Sequence, residues 1–264
     1  MTNALFSEFI FGNGLSGLCI KDSHMHIGKI YHLPFDSDVE ELIKEMKRLS
    51  IVKGIISCIF KYNERESENE YVKETVLKYG GIFKGQIFYS PTIHADRIDL
   101  IEEYMKSGIF SGIKIHPEIN GVTVDNKGYE PIFEAAGFYR LPVLIHTWTK
   151  HIDILPINSL AENYPKTIFI MGHMGGKIEE SFHACLDTIE KHDNVYADTA
   201  LSWTYKGRIE YAVEKIGSHK ILFASDANWN SIPGSLGRVI CSKITDSQKE
   251  DILFRNFETL YGKD

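Results

Sequence analysis

The chain has 264 residues, 43% of them hydrophobic and 12% aromatic, enough to bury one large core as a single domain over residues 1–264. Lys and Arg number 29 against 36 Asp and Glu, and the net charge of −7 argues against a nucleic-acid-binding surface, which would show a basic patch. The densest basic cluster, Lys44, Lys47 and Arg48, lies among glutamates and reads as a solvated helix face.

In chain order, the first stretch, MTNALFSEFIFGNGLSGL, lacks a basic start and is broken by Gly12, Gly14 and Gly17, so no secretory signal is expected. No apolar run approaches the roughly 20 residues that cross a bilayer, and no membrane partner is expected. Eight short, β-branched apolar runs then alternate with helix-like stretches. The runs are Gly17–Asp22, Val52–Phe60, Gly85–Ser90, Gly112–His116, Pro142–His146, Ile168–His173, Val195–Thr199 and Ile221–Asp226. Their near-continuous apolarity suits strands covered on both faces, as in a parallel sheet.

Between them, Asp36-Ser37-Asp38 caps a helix with Val39, Leu42, Ile43 and Met46 on one stripe. Further helices are expected over Glu66–Tyr79, Ala95–Ser107, Pro131–Arg140, Asp153–Tyr164, Lys177–His192, Thr204–Ile216 and Ser247–Tyr261. Eight βα units imply a parallel α/β fold, either a barrel or a doubly wound sheet. Cys19, Cys58, Cys185 and Cys241 are widely spaced, which excludes a C-x-x-C pair and points to a reducing cytosol; Cys19 and Cys58 sit in apolar runs and are expected to be buried.

Reactive side chains gather at the carboxyl ends of these runs. The first run leads into Asp22-Ser23-His24-Met25-His26, and histidines two apart on an extended chain point the same way. The fifth run ends in His146, the sixth in His173 and the eighth in Asp226. One such histidine is more often an ordinary hydrogen-bonded residue, and Asp226 alone suits a helix N-cap. Together, on four strand ends, they form a usual donor set for zinc or a similar borderline ion.

The motifs DSHMHIG, GIKIHP, LPVLIHT, FIMGHMGG, VYADTA and LFASDAN, with a closing ILFRNFETLYG, resemble in order those of the amidohydrolase superfamily, in particular the amidohydrolase 2 family. The resemblance runs from residue 18 to 262. It implies a (β/α)8 TIM barrel rather than an open sheet, and a metal-dependent hydrolase that activates water to cleave a small-molecule amide, lactone, ester or related bond. Some members of the family instead decarboxylate or hydrate small acids. Carried over by position, His24 and His26 are first-strand ligands, His146 the fifth-strand ligand and Asp226 an eighth-strand ligand and general base. His173 is either catalytic or a ligand of a second ion. Zinc is the expected ion, one or two per chain, and a homo-oligomer follows by analogy.

The fourth strand leaves several roles open. Lys114 and His116 should face the interior by the period-two rule. Lys114 is open to carboxylation, to pairing with Asp22 or a substrate carboxylate, or to filling the barrel floor. Glu118 is another ligand for a second ion, and His116 a partner of a ligating imidazole or a substrate contact. Trp148, Trp203 and Trp229 follow the fifth, seventh and eighth strands and either wall a substrate pocket or pack loops. Tyr31 and His32 are weaker pocket members. The full phosphate-loop pattern is absent, so the glycines around His173 read as turn-formers. A barrel that binds a metal without turning over substrate is the rival from outside the enzymes.

Overall fold

The computed structural model describes residues 4–11, 15, 17–29, 38–59, 67–148, 154–200 and 205–262. Eight parallel strands follow one another in space as in sequence: β1 (Ile20–His26), β2 (Ile51–Ser57), β3 (Phe83–Tyr89), β4 (Phe110–Ile115), β5 (Val143–His146), β6 (Phe169–Gly172), β7 (Val195–Asp198) and β8 (Ile221–Leu222). The sheet closes where Asp226 N donates to His24 O (2.9 Å) and Ser23 N to Phe223 O (3.0 Å), with Met25 bridged to Ala227. This is a TIM barrel, with helices between the strands and every residue of β1 buried.

Helix α1 (Ala4–Phe11) precedes β1, and α2 (Val39–Arg48) follows it. Asp38 caps α2, its Oδ1 accepting from Glu40 N and Glu41 N, and Leu42, Ile43 and Met46 are buried against the sheet. The outer layer continues with α3 (Ser67–Tyr79), a short α4 (Pro91–His94), α5 (Ile98–Lys106), a single turn α6 (Pro117–Asn120), α7 (Glu130–Tyr139), α8 (Leu155–Asn163), α9 (Glu179–Lys191) and α10 (Arg208–Ile216). The stretch expected as one helix over Ala95–Ser107 is helical as α5, which starts only after Arg97, whose φ of −130° is not helical; the short α4 ends at His94, ahead of it.

Four helices of the described residues were not expected from sequence: α1, the short α4 and α6, and α11 (Ile232–Ile240), whose IPGSLGRVI carries two glycines; its proline sits in the first turn, where it is tolerated, and burial of Leu236, Val239 and Ile240 holds it helical. The last stretch runs as α12 (Asp246–Glu250), a π-turn (Asp251–Arg255) and α13 (Asn256–Tyr261). A wider turn releases a backbone carbonyl from the helical ladder, and Ile252 O accepts Phe223 N at 2.8 Å, steadying the chain as it leaves β8. Asn256 Nδ2 reaches the carbonyls of Ser218 and Ile221, both at 2.7 Å, and pins the entry to β8.

Inside the barrel, Ile55, Leu144, Ile170 and Leu222 pack with Phe257 and Tyr261 of α13 into an apolar floor. Cys58 is buried as expected, whereas Cys19, one residue ahead of β1, is exposed: the apolar run begins before the strand does.

Candidate metal centre

The β1 pleat turns Asp22, His24 and His26 to the interior. Asp22 serves as an anchor: its Oδ1 accepts His24 N and Ser225 N, both at 3.1 Å, tying β1 to the chain after β8. Burial pushes its carboxyl up to about 7. Asp226 has a left-handed φ of 60° and His173 one of 63°, values sparsely populated by residues other than glycine. These turns aim both side chains back over the barrel mouth.

His24, His26 and Asp226 each offer one ligand atom, and these atoms all lie within 4.8 Å of one another; no other group of three does so among the described residues. The two Nε2 atoms are 3.1 Å apart, and Asp226 Oδ1 is 3.1 Å from His26 Nε2 and 3.6 Å from His24 Nε2. Yet Asp226 Oδ1 is buried without a properly aligned hydrogen-bond donor. Its other oxygen accepts Asn230 Nδ2 at 2.7 Å. Burial opposes the charge on Asp226, but the close His26 nitrogen and the His173 and His24 rings outweigh it and hold the carboxyl well below its usual range.

The imidazoles are oriented from behind. His24 Nδ1 donates to Asp198 Oδ2 at 2.8 Å, leaving the Nε2 lone pair facing the mouth. His26 Nδ1 meets Ser57 Oγ at 3.1 Å. Asp198 Oδ1 accepts His173 N (2.7 Å) and Ala200 N (3.1 Å), so one carboxylate organises β1, β6 and β7. Asp198 lay inside the VYADT run, but a single aspartate at a strand end has no sequence signal that separates it from a turn residue. Burial lowers the pKa of His24 and His26 and keeps both neutral, the form that ligates. Two imidazole nitrogens and an orphaned carboxylate oxygen converging on one point fit a divalent cation.

Lys114 Nζ lies 2.9 Å from His24 Nε2. Burial draws its pKa down to about 8, against the pull of Asp226 and Asp198. The pairing of Lys114 with Asp22 is not formed; Asp22 Oδ1 accepts two backbone N–H groups and its Oδ2 is buried without a hydrogen-bond partner.

The remaining imidazoles pair with one another. His146 Nδ1 is 3.0 Å from His173 Nε2, and His173 Nδ1 donates to Ala200 O. His116 stacks on His146 at 3.6 Å between centroids, and its Nδ1 accepts Ile119 N at 3.3 Å. Burial pushes His173 down to about 4, and His116 and His146 also fall well below the usual imidazole value. His146 therefore stands beside the three converging donors, turned towards His173. Glu118 is half exposed, its Oε2 3.7 Å from His146 Nε2. Trp229 stacks on His26 at 4.6 Å and Trp148 meets His173 edge-on at 5.1 Å. Trp203, Tyr31 and His32 lie outside the described residues.

A family model described as amidohydrolase matches residues 57–263. The chain belongs to the amidohydrolase family. Among solved structures it is similar to a 5-carboxyvanillate decarboxylase from Sphingomonas paucimobilis, with a TM-score of 0.75 at 15% identity over 92% of this chain and 99% of that one. A dihydroxybenzoic acid decarboxylase from Polaromonas sp. JS666, solved with manganese and 2-nitroresorcinol, gives a TM-score of 0.74 at 15% identity, over 92% and 96% of the two chains. A 2,6-dihydroxybenzoate decarboxylase from Rhizobium gives 0.73 at 14% identity, over 92% and 98%. At such identities the likeness is one of fold. No curated protein matches the chain by sequence.

Proposed function

We propose that this amidohydrolase-family chain is a divalent-metal-dependent hydrolase of a small molecule, its ion held by His24, His26 and Asp226 with His146 as a fourth donor. The observation that carries this reading is Asp226 Oδ1, buried and orphaned at the point where two neutral imidazoles converge. A bound divalent ion supplies Lewis acidity that polarises an oxygen of water or substrate. Asp226 is the carboxylate placed to accept a proton from water and return it to the leaving group, a role worth about 10²–10⁴-fold. Asn230 keeps the carboxylate turned to the mouth through Oδ2. Asp198 fixes the His24 tautomer, and Ala200 O does the same for His173, whose Nε2 is left to accept a hydrogen bond.

Zinc suits two imidazoles and a carboxylate. Manganese in the Polaromonas enzyme makes it the competitor, and metal analysis of the purified protein decides between them. A second reading, decarboxylation of a small aromatic acid, is supported by the named activities of the fold neighbours and by the Trp148 and Trp229 rings flanking the imidazoles. Hydrolysis stands first because the matched family is described as amidohydrolase and Asp226 places a carboxylate among the converging donors; the Lys114 amine, 2.9 Å from His24 Nε2, is the group that would deliver a proton in the second reading.

The test is product analysis of metal-loaded protein on two panels: lactones, amides and esters scored for acid release, and hydroxybenzoates scored for CO2. Acid release lost in Asp226→Asn supports the first reading; CO2 release replaces it with the second. No turnover on either panel by metal-loaded protein favours a non-catalytic metal-binding barrel.

A further inference from the structure

Arg208, the first residue of α10, is only 6% exposed, and its guanidinium is half used. Nη1 donates to Gly176 O at 2.8 Å. Nε and Nη2 are buried and have no hydrogen-bond partner. The guanidinium carbon sits 4.2 Å over the Phe182 ring and 5.7 Å from that of Tyr205. No ion pair among the described residues includes Arg208; Glu179 acts on it only at longer range, with its own carboxylate 3.3 Å from His183 Nε2.

An arginine cannot escape burial by losing its proton, and an unpaired buried charge persists only if something compensates it. Because Gly176 holds Nη1, the two free groups are neighbours on one edge of the guanidinium. That edge presents two parallel N–H donors at the spacing of the two oxygens of a carboxylate, the arrangement of a bidentate fork. Its position relates it to the mouth. A Cβ on Gly176 would fall 1.9 Å from Trp148 O, so the backbone that Arg208 grips lies directly against Trp148. The Trp148 ring in turn meets His173. Phe182 covers one face of the guanidinium, and Tyr205, whose ring is 5.7 Å away, is 66% exposed.

We propose that the Nε–Nη2 edge of Arg208 is an anion site that receives a carboxylate of the small molecule processed at the barrel mouth. The inference rests on the reading of the mouth as a substrate site, and it narrows the substrate class to compounds with a carboxylate set apart from the reacting bond.

The test uses full-length metal-loaded protein, with sodium benzoate as probe, benzamide as its uncharged counterpart and inorganic phosphate as the alternative anion, at constant ionic strength. Calorimetry is expected to show saturable benzoate binding to the wild type and much weaker benzamide binding. Arg208→Met should weaken benzoate about 10- to 100-fold, the cost of a lost charged hydrogen-bond pair. Arg208→Lys should recover part of the loss, because an ammonium supplies charge without the fork. Removing an uncompensated charge should also leave the Tm of Arg208→Met equal to or above the wild type, where a merely structural arginine would lower it. Unchanged benzoate affinity in Arg208→Met overturns the proposal, as does equal binding of benzamide. Arg208-dependent binding of phosphate but not benzoate overturns the carboxylate assignment. If Glu179→Gln abolishes the difference between wild type and Arg208→Met, the partner is Glu179 and the site is internal. None of these readings needs turnover, so they fail or succeed separately from the proposed hydrolysis.

Discussion

The mouth of this barrel has two unlike halves built from the same residue type. On the β1 and β8 side, His24 and His26 are each held from behind, by Asp198 and Ser57, and their front nitrogens converge with an orphaned carboxylate oxygen. On the β4 to β6 side, His116, His146 and His173 satisfy one another by stacking and by an imidazole–imidazole contact. A histidine cluster therefore does not by itself define a ligand set. What separates the halves is the carboxylate: both front nitrogens of the β1 half lie within 3.6 Å of a buried Asp226 oxygen, whereas on the other side the half-exposed Glu118 reaches His146 at 3.7 Å.

The contrast is broken most directly at Asp226. Asp226→Asn keeps the shape but removes the charge and the base, and turnover should fall about 10²–10⁴-fold. Paired measurements of ion content in His26→Ala and His146→Ala extend the comparison: the β1 variant should lose its ion outright, and the β5 variant should retain more of it. Equal loss in the two would mean that the halves act as one ligand set. The next effect belongs to Asp198. Asp198→Asn leaves His24 without a carboxylate behind its ring, and ion affinity should drop about 10–100-fold, as read by competition with a chelating dye. An unchanged affinity would show that the His24 orientation is fixed by packing alone.

Acidification probes both halves together. Burial pushes His173 down to about 4 and lowers His24, His26, His116 and His146 as well. A group whose folded pKa lies below its unfolded value binds more protons when unfolded. Stability should thus fall as pH drops from about 6.5, the ordinary imidazole value, towards about 4. Asp22 and Asp198, raised to about 7 and about 6, work in the opposite sense, since the folded chain keeps protons that the unfolded chain has released. Five lowered imidazoles against two raised carboxyls give a net loss. The check is the Tm of chelator-treated protein at pH 6.5, 5.5 and 4.5; a flat or rising series would contradict it.

Much of this was legible in the sequence, for a physical reason. Strands buried on both faces read as apolar runs, so a histidine or aspartate at the end of one stands out; His24, His26, His146, His173 and Asp226 could be singled out in that way. That His24, His26 and Asp226 belong together came from the family resemblance, because the backbone turns that aim them, such as the left-handed φ at Asp226, leave no signal of their own in the residues. Asp198 and Arg208 were missed because their importance lies in partners 174 and 32 residues away along the chain. Helix α11 was missed because tertiary burial of its apolar stripe overrides two glycines, its proline lying in the first turn, where it is tolerated. Cys19 was misplaced by one residue of strand boundary, which was enough to change its exposure.

The smallest effect tests whether the two tryptophans share in the asymmetry. Trp229 lies nearly parallel to His26, 24° between planes, whereas Trp148 meets His173 at 75°. A ring stacked on an imidazole holds it in plane, and such a pair is worth about 0.5–1.5 kcal/mol beyond the area it buries. Trp229→Leu frees His26 to rotate and should weaken ion binding by about 2- to 13-fold, the same energy expressed as an equilibrium ratio. Trp148→Leu disturbs a ring whose nitrogens are already committed to His146 and Ala200, and should leave ion affinity within about twofold. Titration of each variant with zinc under identical buffer conditions reads the difference. Were Trp148→Leu the more damaging of the two, His173 would belong with the ion-holding half, and the division drawn across the mouth would have to move by one strand.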